Sequence, residues 1–199
     1  YEFVTFHQSF SYEDFMEGLT PVLDEDAGNL RYDVRKGVFL RLCDRARADP
    51  KHRYAMIIDE INRGNVSKVL GELITLIEAD KRAGAPHEIS LTLPYSGDRF
   101  SVPPNIDFIG TMNTADRSLT GLDIALRRRF NFVEMSARPE LLSGVSVEGV
   151  DIQIMLERIN ERIEVLLDRD HQLGHAYFLP LRESDSLVSL SLIFRNQIL

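Results

Sequence analysis

Two adjacent carboxylates, Asp59 and Glu60, follow directly after the apolar run at residues 54–58. A run this short, with the β-branched Ile57 and Ile58 at its end, predicts a strand buried on both faces of a parallel sheet. Ligands of such sheets bind at the carboxyl ends of the strands, where Mg²⁺ is held by carboxylates beside substrate phosphates. We therefore expect Asp59 to hold Mg²⁺ through its water shell and Glu60 to polarise the water that attacks a γ-phosphate. The alternative is an ordinary buried strand that runs into an acidic turn.

A second strand-like stretch, residues 106–112, also ends in a polar residue, Asn113. In sheets that hydrolyse nucleotides, the strand beside the acidic one carries a polar side chain at its tip. That side chain lies within hydrogen-bond reach of the γ-phosphate or of the attacking water. Asn113 fits this role, so the two strand ends together predict a nucleotide-hydrolysing site.

Three consecutive arginines, Arg127, Arg128 and Arg129, follow after a helix-length interval. Consecutive residues of a helix do not share a face, so at least one of these side chains points outward. Such an arginine can reach the phosphates of a neighbouring subunit and stabilise charge in the transition state. We take Arg128 and Arg129 as the candidates, and the sequence alone leaves the choice among the three open. The alternative is a solvated helix end favoured by the helix dipole.

Five segments of the sequence together resemble one protein family; they are residues 6–15, 59–63, 110–118, 125–130 and 173–178. They are similar to the AAA+ superfamily and, within it, to the McrB-like branch. Members of that branch are the GTP-hydrolysing motor subunits of McrBC-type modification-dependent restriction systems. The similarity spans most of the chain, and its central motifs are long and specific.

The resemblance implies an α/β fold of the AAA+ P-loop type, in which a parallel sheet is flanked by helices. It implies a core at residues 1–136 without the Walker A portion, followed at residues 137–199 by part of a small α-helical lid. Residues 88–102, with alternating apolar positions and a central turn, predict a β-hairpin inserted in the core. That hairpin either packs on the core or faces the pore of a ring and touches a partner or substrate.

Further site residues come from the resemblance alone. Asn62 and Arg63 would belong to the nucleotide site or to the interface between subunits. His175 would stand at the start of a lid helix and sense the state of the nucleotide. The alternative for His175 is a structural turn residue beside Gly174.

The resemblance also implies a nucleotide and a metal. The run from Asn113 to Asp116 is similar to the Asn-x-x-Asp guanine reader of small GTPases, although Asn113 at a strand tip lies closer to phosphates than to a base. Asp116 and Arg117 could instead form contacts between subunits. GTP with Mg²⁺ is therefore the expected cofactor pair, and ATP is the alternative.

The partners implied by the family are other copies of the same chain and a nuclease. We expect a homo-oligomeric ring, a hexamer in this family, in which an arginine of one protomer completes the site of the next. The motor would drive DNA translocation and cleavage by an McrC-like nuclease subunit. The net charge of −8 argues against broad nonspecific binding of nucleic acid by this chain, so DNA contacts would come from other domains or from the partner.

A phosphate-cradling Gly-x-x-x-x-Gly-Lys-Ser/Thr loop does not occur in the sequence. We therefore expect the chain to be a piece of a longer protein whose Walker A segment lies upstream. By itself the piece is expected to be inactive, while the full-length protein is an NTPase, with GTPase favoured over ATPase.

Composition favours one globular, cytoplasmic unit without a membrane span or signal peptide. A hydrophobic content of 44% is ordinary for a globular protein, and no apolar stretch is long enough to cross a bilayer. The single cysteine, Cys43, excludes an internal disulfide and falls in an apolar helical pattern, so we expect it to be buried.

Local patterns predict the surrounding elements. Helices are expected at residues 11–19, 36–48 and 65–80, a strand at 130–135, an exposed loop at 21–33, and helices again from residue 150.

Two other functions fit the sequence. One is an ATP-dependent chaperone of the MoxR type, which shares the helix and hairpin layout. The other is a nonhydrolysing AAA+-like scaffold, although a scaffold has no physical need of intact Asp59, Glu60 and Asn113.

Overall fold

A computed structural model describes residues 1–23, 29–115, 124–184 and 186–198. These residues form two compact units, Tyr1–Asn131 and Phe132–Leu199. The domain boundary predicted after residue 136 stays a prediction. Among the described helices, none is long and apolar enough to cross a membrane.

The strands of the described residues are, in chain order, β1 Glu2–Thr5, β2 Glu17–Leu23, β3 Leu30–Lys36, β4 Tyr54–Asp59, β5 Leu91–Thr92, β6 Arg99–Phe100, β7 Ile106–Gly110, β8 Ser146–Val147 and β9 Val150–Asp151. The α-helices are α1 Tyr12–Phe15, α2 Val38–Ala48, α3 Val66–Leu70, α4 Ile124–Arg127, α5 Ile152–Leu166 and α6 Leu187–Ile193.

The first unit is built on a parallel sheet with the order β1-β4-β7. The central strand β4 buries Met56 and Ile58 almost completely on one face of the sheet. Ala55 and Ile57 on the other face are only partly buried, so the predicted burial on both faces is complete for one face alone. In β7, Ile106 is fully buried beside them. The predicted α/β parallel sheet flanked by helices is therefore confirmed.

Helix α2 packs against this sheet through one apolar face. Phe39, Leu42, Cys43 and Ala46 recur at helical spacing and are almost completely buried, so the predicted helix at 36–48 is confirmed. Cys43 lies in the core as predicted, and its burial raises the pKa of the thiol.

Helix α1 is shorter than predicted, and two strands occupy most of the described part of the predicted loop at 21–33. Residues 24–28 of that prediction lie outside the described residues. The capping box of Ser11 and Asp14 is present, but the helix ends at Phe15 and strand β2 begins at Glu17. Strands β2 and β3 then pair antiparallel, with Leu19 opposite Val34. The prediction was wrong because acidic and turn residues concealed the alternation of apolar side chains, which indicates strands.

The predicted helix at 65–80 is interrupted. Helix α3 ends at Leu70, because the next residue, Gly71, has a φ of +51° and a ψ of −128°, outside the helical region. A 3₁₀ helix continues over Gly71–Ile77. The apolar face is nevertheless buried on both sides of the break, by Val69, Leu73 and others. The predicted buried face is therefore confirmed, whereas the prediction of one regular helix over residues 65–80 was wrong.

The inserted hairpin is confirmed as the pair β5 and β6. Its turn is held by the carboxylate of Glu17, which is 1% exposed and accepts the backbone N–H groups of Tyr95 at 2.8 Å and Ser96 at 2.9 Å. The Tyr95 hydroxyl also donates to Glu13 Oε1 at 2.6 Å. These bonds favour the interpretation that the hairpin packs on the core.

The predicted strand at 130–135 is wrong. Residues 131–138 have no regular secondary structure, and Val133 and Met135 are 79% and 90% exposed. A strand is stable only when its backbone groups pair with a neighbour, and no strand within the described ranges lies beside these residues.

The second unit is mainly helical, as the predicted lid requires. Its core is formed by α5, α6, a 3₁₀ helix at His175–Arg182 and the short hairpin of β8 and β9, which bury Leu156, Phe178 and Val147 completely. The remaining elements are 3₁₀ helices at Pro139–Leu142 and Arg169–His171 and a π-helix at Phe194–Ile198.

We predict that Gly37→Ala strongly destabilises the fold. A Cβ atom at Gly37 would lie 2.4 Å from the carbonyl carbon of Phe15, and backbone atoms cannot move aside as a flexible side chain can. The expected loss is about 3 kcal/mol in the free energy of unfolding, measured by urea denaturation. Gly174→Ala is the matched control. Gly174 has a φ of −70°, close to the −73° of Gly37, and no atom lies within 4 Å of the added Cβ. Equal stability of the two variants would contradict the prediction.

We predict that Glu17→Ala lowers the free energy of unfolding by about 2–3 kcal/mol, because two backbone N–H groups lose a charged acceptor. Urea denaturation gives the loss, and hydrogen exchange at Tyr95 and Ser96 should accelerate. Glu13→Ala removes only the exposed bond to the Tyr95 hydroxyl and should cost less than about 1 kcal/mol. A loss for Glu17→Ala no larger than that for Glu13→Ala would refute the hairpin anchor.

Candidate functional site

The carboxyl ends of β4 and β7 meet at one edge of the sheet. The two strands are parallel, with Ile58 opposite Gly110. Pairing continues past the strand ends, where Thr111 N donates to Ile58 O at 2.9 Å and Ile61 N donates to Thr111 O at 2.9 Å. The chain segments that follow both strands are therefore held side by side through Thr111 and Ile61.

Asp59 contacts Thr111 directly. The Thr111 hydroxyl donates to the Asp59 Oδ1 atom, and the Asp59 backbone oxygen accepts from Phe6 N at 2.9 Å. Both the side chain and the backbone of Asp59 are therefore fixed by neighbouring strands. The carboxylate is partly exposed to solvent, so it can reach a hydrated cation.

Glu60 adopts an unusual backbone conformation. Its φ of 53° and ψ of 44° lie in the left-handed region, which costs about 1–2 kcal/mol for a residue with a Cβ atom. Such strained residues cluster at functional sites. The Glu60 side chain is 25% exposed, and its Oε2 atom lies 3.1 Å from Arg63 Nε in an ion pair.

Asn62 and Asn113 join the same cluster. Asn62 Nδ2 donates to the backbone oxygen of Asn113 at 3.2 Å, while Asn113 Oδ1 accepts from Ala115 N at 3.0 Å. This second bond forms a local turn that fixes the orientation of the Asn113 amide. The side chain of Asn62 is therefore tied to the segment after β7 that carries Asn113.

Two buried oxygens of this cluster have no hydrogen-bond donor within the part of the chain that the structure describes. They are Glu60 Oε2, whose contact with Arg63 lacks hydrogen-bond geometry, and Asn62 Oδ1. Buried polar atoms are almost always hydrogen-bonded in native proteins. Two acceptors without donors, on residues two positions apart in the chain, therefore indicate a place where water or a ligand supplies the donors.

The side chain of Ile61 packs closely against Gly110 at the end of β7. A Cβ atom on Gly110 would lie 3.1 Å from Ile61 Cδ1, tighter than ordinary contact.

The three consecutive arginines differ in their exposure to solvent. Arg127 and Arg128 are exposed, whereas the Arg129 side chain is only 19% exposed and its Nε atom lies 2.7 Å from Glu78 Oε1. Arg129 is therefore engaged within its own unit. Arg128 retains the exposure that a residue needs to reach a neighbouring subunit.

The remaining predicted residues lie elsewhere. Asp116 and Arg117 fall outside the described residues. His175 belongs to the second unit, where its Nδ1 atom accepts from Arg138 N at 3.1 Å. The loop before it is held by the buried Asn160, which exchanges two hydrogen bonds with the backbone of Leu173. This anchoring supports a structural role for the turn that carries His175.

Metal binding by these side chains alone is not indicated. The described ranges contain no group of three or more His, Cys, Asp or Glu side chains that could hold a metal ion. Mg²⁺ usually keeps several waters and takes only one or two carboxylates together with substrate phosphates. Asp59 and its neighbour Glu60 fit that smaller requirement.

Sequence reasoning missed two participants. Thr111 was part of the predicted strand end, but only the register of β4 against β7 brings its hydroxyl to Asp59. Glu78 gave no signal in the sequence, because its partner Arg129 lies 51 positions further along the chain.

Comparisons with protein families cover both units. Residues 1–130 match the family model of the AAA domain, dynein-related subfamily. Residues 151–199 match the model of the McrB alpha-helical lid domain.

Curated relatives agree with these families. The chain is 40% identical over 190 residues to the Type IV methyl-directed restriction enzyme EcoKMcrB subunit of Escherichia coli, covering 88% of this chain and 39% of that protein. It is 27% identical over 133 residues to the Type II restriction enzyme BsuMI component YdiS of Bacillus subtilis, covering 62% and 37%. The chain thus spans less than two fifths of the length of either relative.

Among solved structures, the chain aligns with a protein of Cytophaga hutchinsonii proposed to be an ATPase. The alignment covers 64% of this chain and 31% of that chain, at 16% identity and a TM-score of 0.37. The family assignment rests on the model of the AAA domain, which covers well over half of the sequence. The chain belongs to the AAA+ family, dynein-related subfamily, and is McrB-like.

Proposed function

We propose that the protein hydrolyses a nucleoside triphosphate, with GTP preferred, as the motor subunit of an McrBC-like restriction system. The observation that carries this proposal is the cluster at the ends of β4 and β7. There Asp59 and the strained Glu60 stand beside Asn113, and two buried oxygens lack hydrogen-bond donors. The proposed activity belongs to the full-length protein, and residues 1–199 by themselves are proposed to be inactive.

Mg²⁺ is the proposed metal cofactor. Asp59 would hold the ion through its water shell, since the described carboxylates are too few for a closed metal site. When bound, the ion neutralises charge on the β- and γ-phosphates.

Glu60 and Asn113 would act on the attacking water. The unsatisfied Oε2 atom of Glu60 can accept a proton of that water, which orients it and raises its nucleophilicity. Asn113 would hold the γ-phosphate or the same water by hydrogen bonding. Asn62 and Arg63 complete the site, because Arg63 pairs with Glu60 and Asn62 bonds the Asn113 backbone.

Arg128 is the proposed arginine finger. Glu78 holds Arg129 at 2.7 Å within the unit, so Arg129 would shape the end of helix α4 while the exposed Arg128 reaches the next protomer. Such an arrangement requires a homo-oligomeric ring, and we propose a hexamer. Arginine fingers supplied by a second subunit typically accelerate hydrolysis by about 10³–10⁵.

The choice of nucleotide and partners rests on the relatives. The Escherichia coli protein is named as a subunit of a methyl-directed restriction enzyme, which supports a DNA-directed role with an McrC-like nuclease as partner. The guanine preference rests on the run from Asn113 to Asp116, and ATP is the alternative. Asp116, Arg117 and His175 remain proposed nucleotide or interface residues.

We predict that Glu60→Gln in the full-length protein lowers kcat by about 10²-fold or more while nucleotide still binds, because the amide cannot take a proton from water. Steady-state hydrolysis of GTP and ATP, with and without an McrC-like subunit, gives the rates, and a fluorescent GTP analogue gives the affinity. GTP should be hydrolysed faster than ATP, and the partner should stimulate it.

The matched control for that experiment is Glu72→Gln. It makes the same chemical change at an exposed position of the same unit, and it should leave the rates unchanged. Partner-independent turnover of ATP would favour a MoxR-like chaperone instead. Turnover of neither nucleotide by the wild-type protein would refute the proposed hydrolase and favour the scaffold.

We predict that Arg128→Ala and Glu60→Gln proteins, each inactive alone, recover GTP hydrolysis when mixed. An Arg128→Ala protomer keeps its own acid and receives the arginine of a Glu60→Gln neighbour, so random assembly restores about a quarter of the sites. Arg127→Ala is the matched control and should retain most activity. A mixture that stays inactive would show that Arg128 does not act between subunits.

A further inference from the structure

Thr111 makes four hydrogen bonds across the gap between β4 and β7. Its backbone N–H and C=O bond Ile58 and Ile61 at 2.9 Å each. Its hydroxyl donates to Asp59 Oδ1 and accepts the Glu60 backbone N–H at 3.4 Å. One hydroxyl has a single proton to give and lone pairs to accept with, so these two side-chain bonds are compatible.

We propose that Thr111 is a positioning residue for both acids of the site, an inference that rests on the proposed function. The hydroxyl fixes one oxygen of Asp59, so the carboxylate presents its other oxygen to the water shell of a cation. The same hydroxyl holds the backbone of Glu60 as it turns away from the strand.

The hydrogen bond between the Glu60 backbone N–H and the Thr111 hydroxyl matters because the Glu60 backbone is strained. A left-handed conformation is strained for a residue with a Cβ atom and persists only when the surroundings fix it. The bonds around Glu60 are those to Thr111 and a bond from Arg63 N to Glu60 O at 2.8 Å. Removing the hydroxyl leaves the backbone bonds in place, so the sheet stays folded while the two acids lose a shared anchor.

A purely structural role would give a different result. Thr111 is exposed, and substitutions at exposed positions usually change the stability of a protein very little. Side chains that orient a metal-binding carboxylate, in contrast, typically cost 10- to 100-fold in metal affinity or activity when they are removed. The Mg²⁺ requirement therefore separates the two roles.

The test compares Thr111→Val and Thr111→Ser in the full-length protein. Valine keeps the branched shape without the hydroxyl, so kcat should fall about 10- to 100-fold and the Mg²⁺ concentration for half-maximal activity should rise. Serine keeps the hydroxyl and should restore both values. Thr92→Val, at an exposed position of β5, is the matched control and should behave as wild type.

A second readout needs neither metal nor nucleotide. Residue-resolved hydrogen exchange of the free protein should show the Glu60 amide exchanging about fivefold faster in Thr111→Val, the effect of losing a bond of about 1 kcal/mol. The amides of Thr111 and Ile61, whose bonds are to backbone oxygens, should keep their wild-type rates.

Each outcome decides the proposal. Thr111→Val with wild-type Mg²⁺ dependence and wild-type exchange at Glu60 would overturn it, and so would a Thr111→Ser protein as impaired as the valine variant. If the wild-type protein hydrolyses no nucleotide, the proposed function fails by itself. The exchange rate of the Glu60 amide then still decides whether Thr111 holds the strained residue.

Discussion

The parallel pairing of β4 with β7 is the constraint on which the site depends. It places Ile58 opposite Gly110, so that the polar residues after both strands start at the same level of the sheet. Because side chains alternate between faces, a shift of one residue would turn Thr111 away from Asp59. The register is set by burial, since Met56, Ile58 and Ile106 are almost completely excluded from water.

The elements that surround the sheet help to hold β4 and β7 in this register. Helix α2 covers the sheet with Phe39, which contacts Phe108 of β7 with ring centroids 5.1 Å apart. The turn between β5 and β6 is tied to Glu17, so the long excursion between β4 and β7 is anchored before the chain enters β7. Ordering that excursion costs conformational entropy, and a buried carboxylate with two N–H donors offsets part of it.

The sequence predicted elements whose signal is local and missed those that need a partner. The apolar run before Asp59 and the helical spacing around Cys43 suffice to predict β4 and α2. The pair β2 and β3 was missed because β3 is exposed along its whole length and β2 is buried only at its start, so each strand is defined mainly by its pairing with the other. Residues 130–135 have the composition of a strand, yet no described strand lies beside them. Asp59, Glu60 and Asn113 could be predicted to lie at one edge of the sheet because polar residues directly after buried strands are informative. The contact of Thr111 with Asp59 could not be predicted, because it depends on the register of the two strands.

The cluster at the ends of β4 and β7 contains two carboxylates, those of Asp59 and Glu60, and few positive charges. Among the described contacts, Arg63 is the cation paired with Glu60, and Asp59 is matched by a neutral hydroxyl. A nucleoside triphosphate would add several negative charges beside these two carboxylates, and like charges at such distances repel strongly in a partly buried site. Under the proposed function, hydrolysis there would need positive charge from outside the cluster. A hydrated Mg²⁺ ion would supply one part of it. Because Glu78 already holds Arg129, we propose that the exposed Arg128 of an adjacent protomer contributes another part.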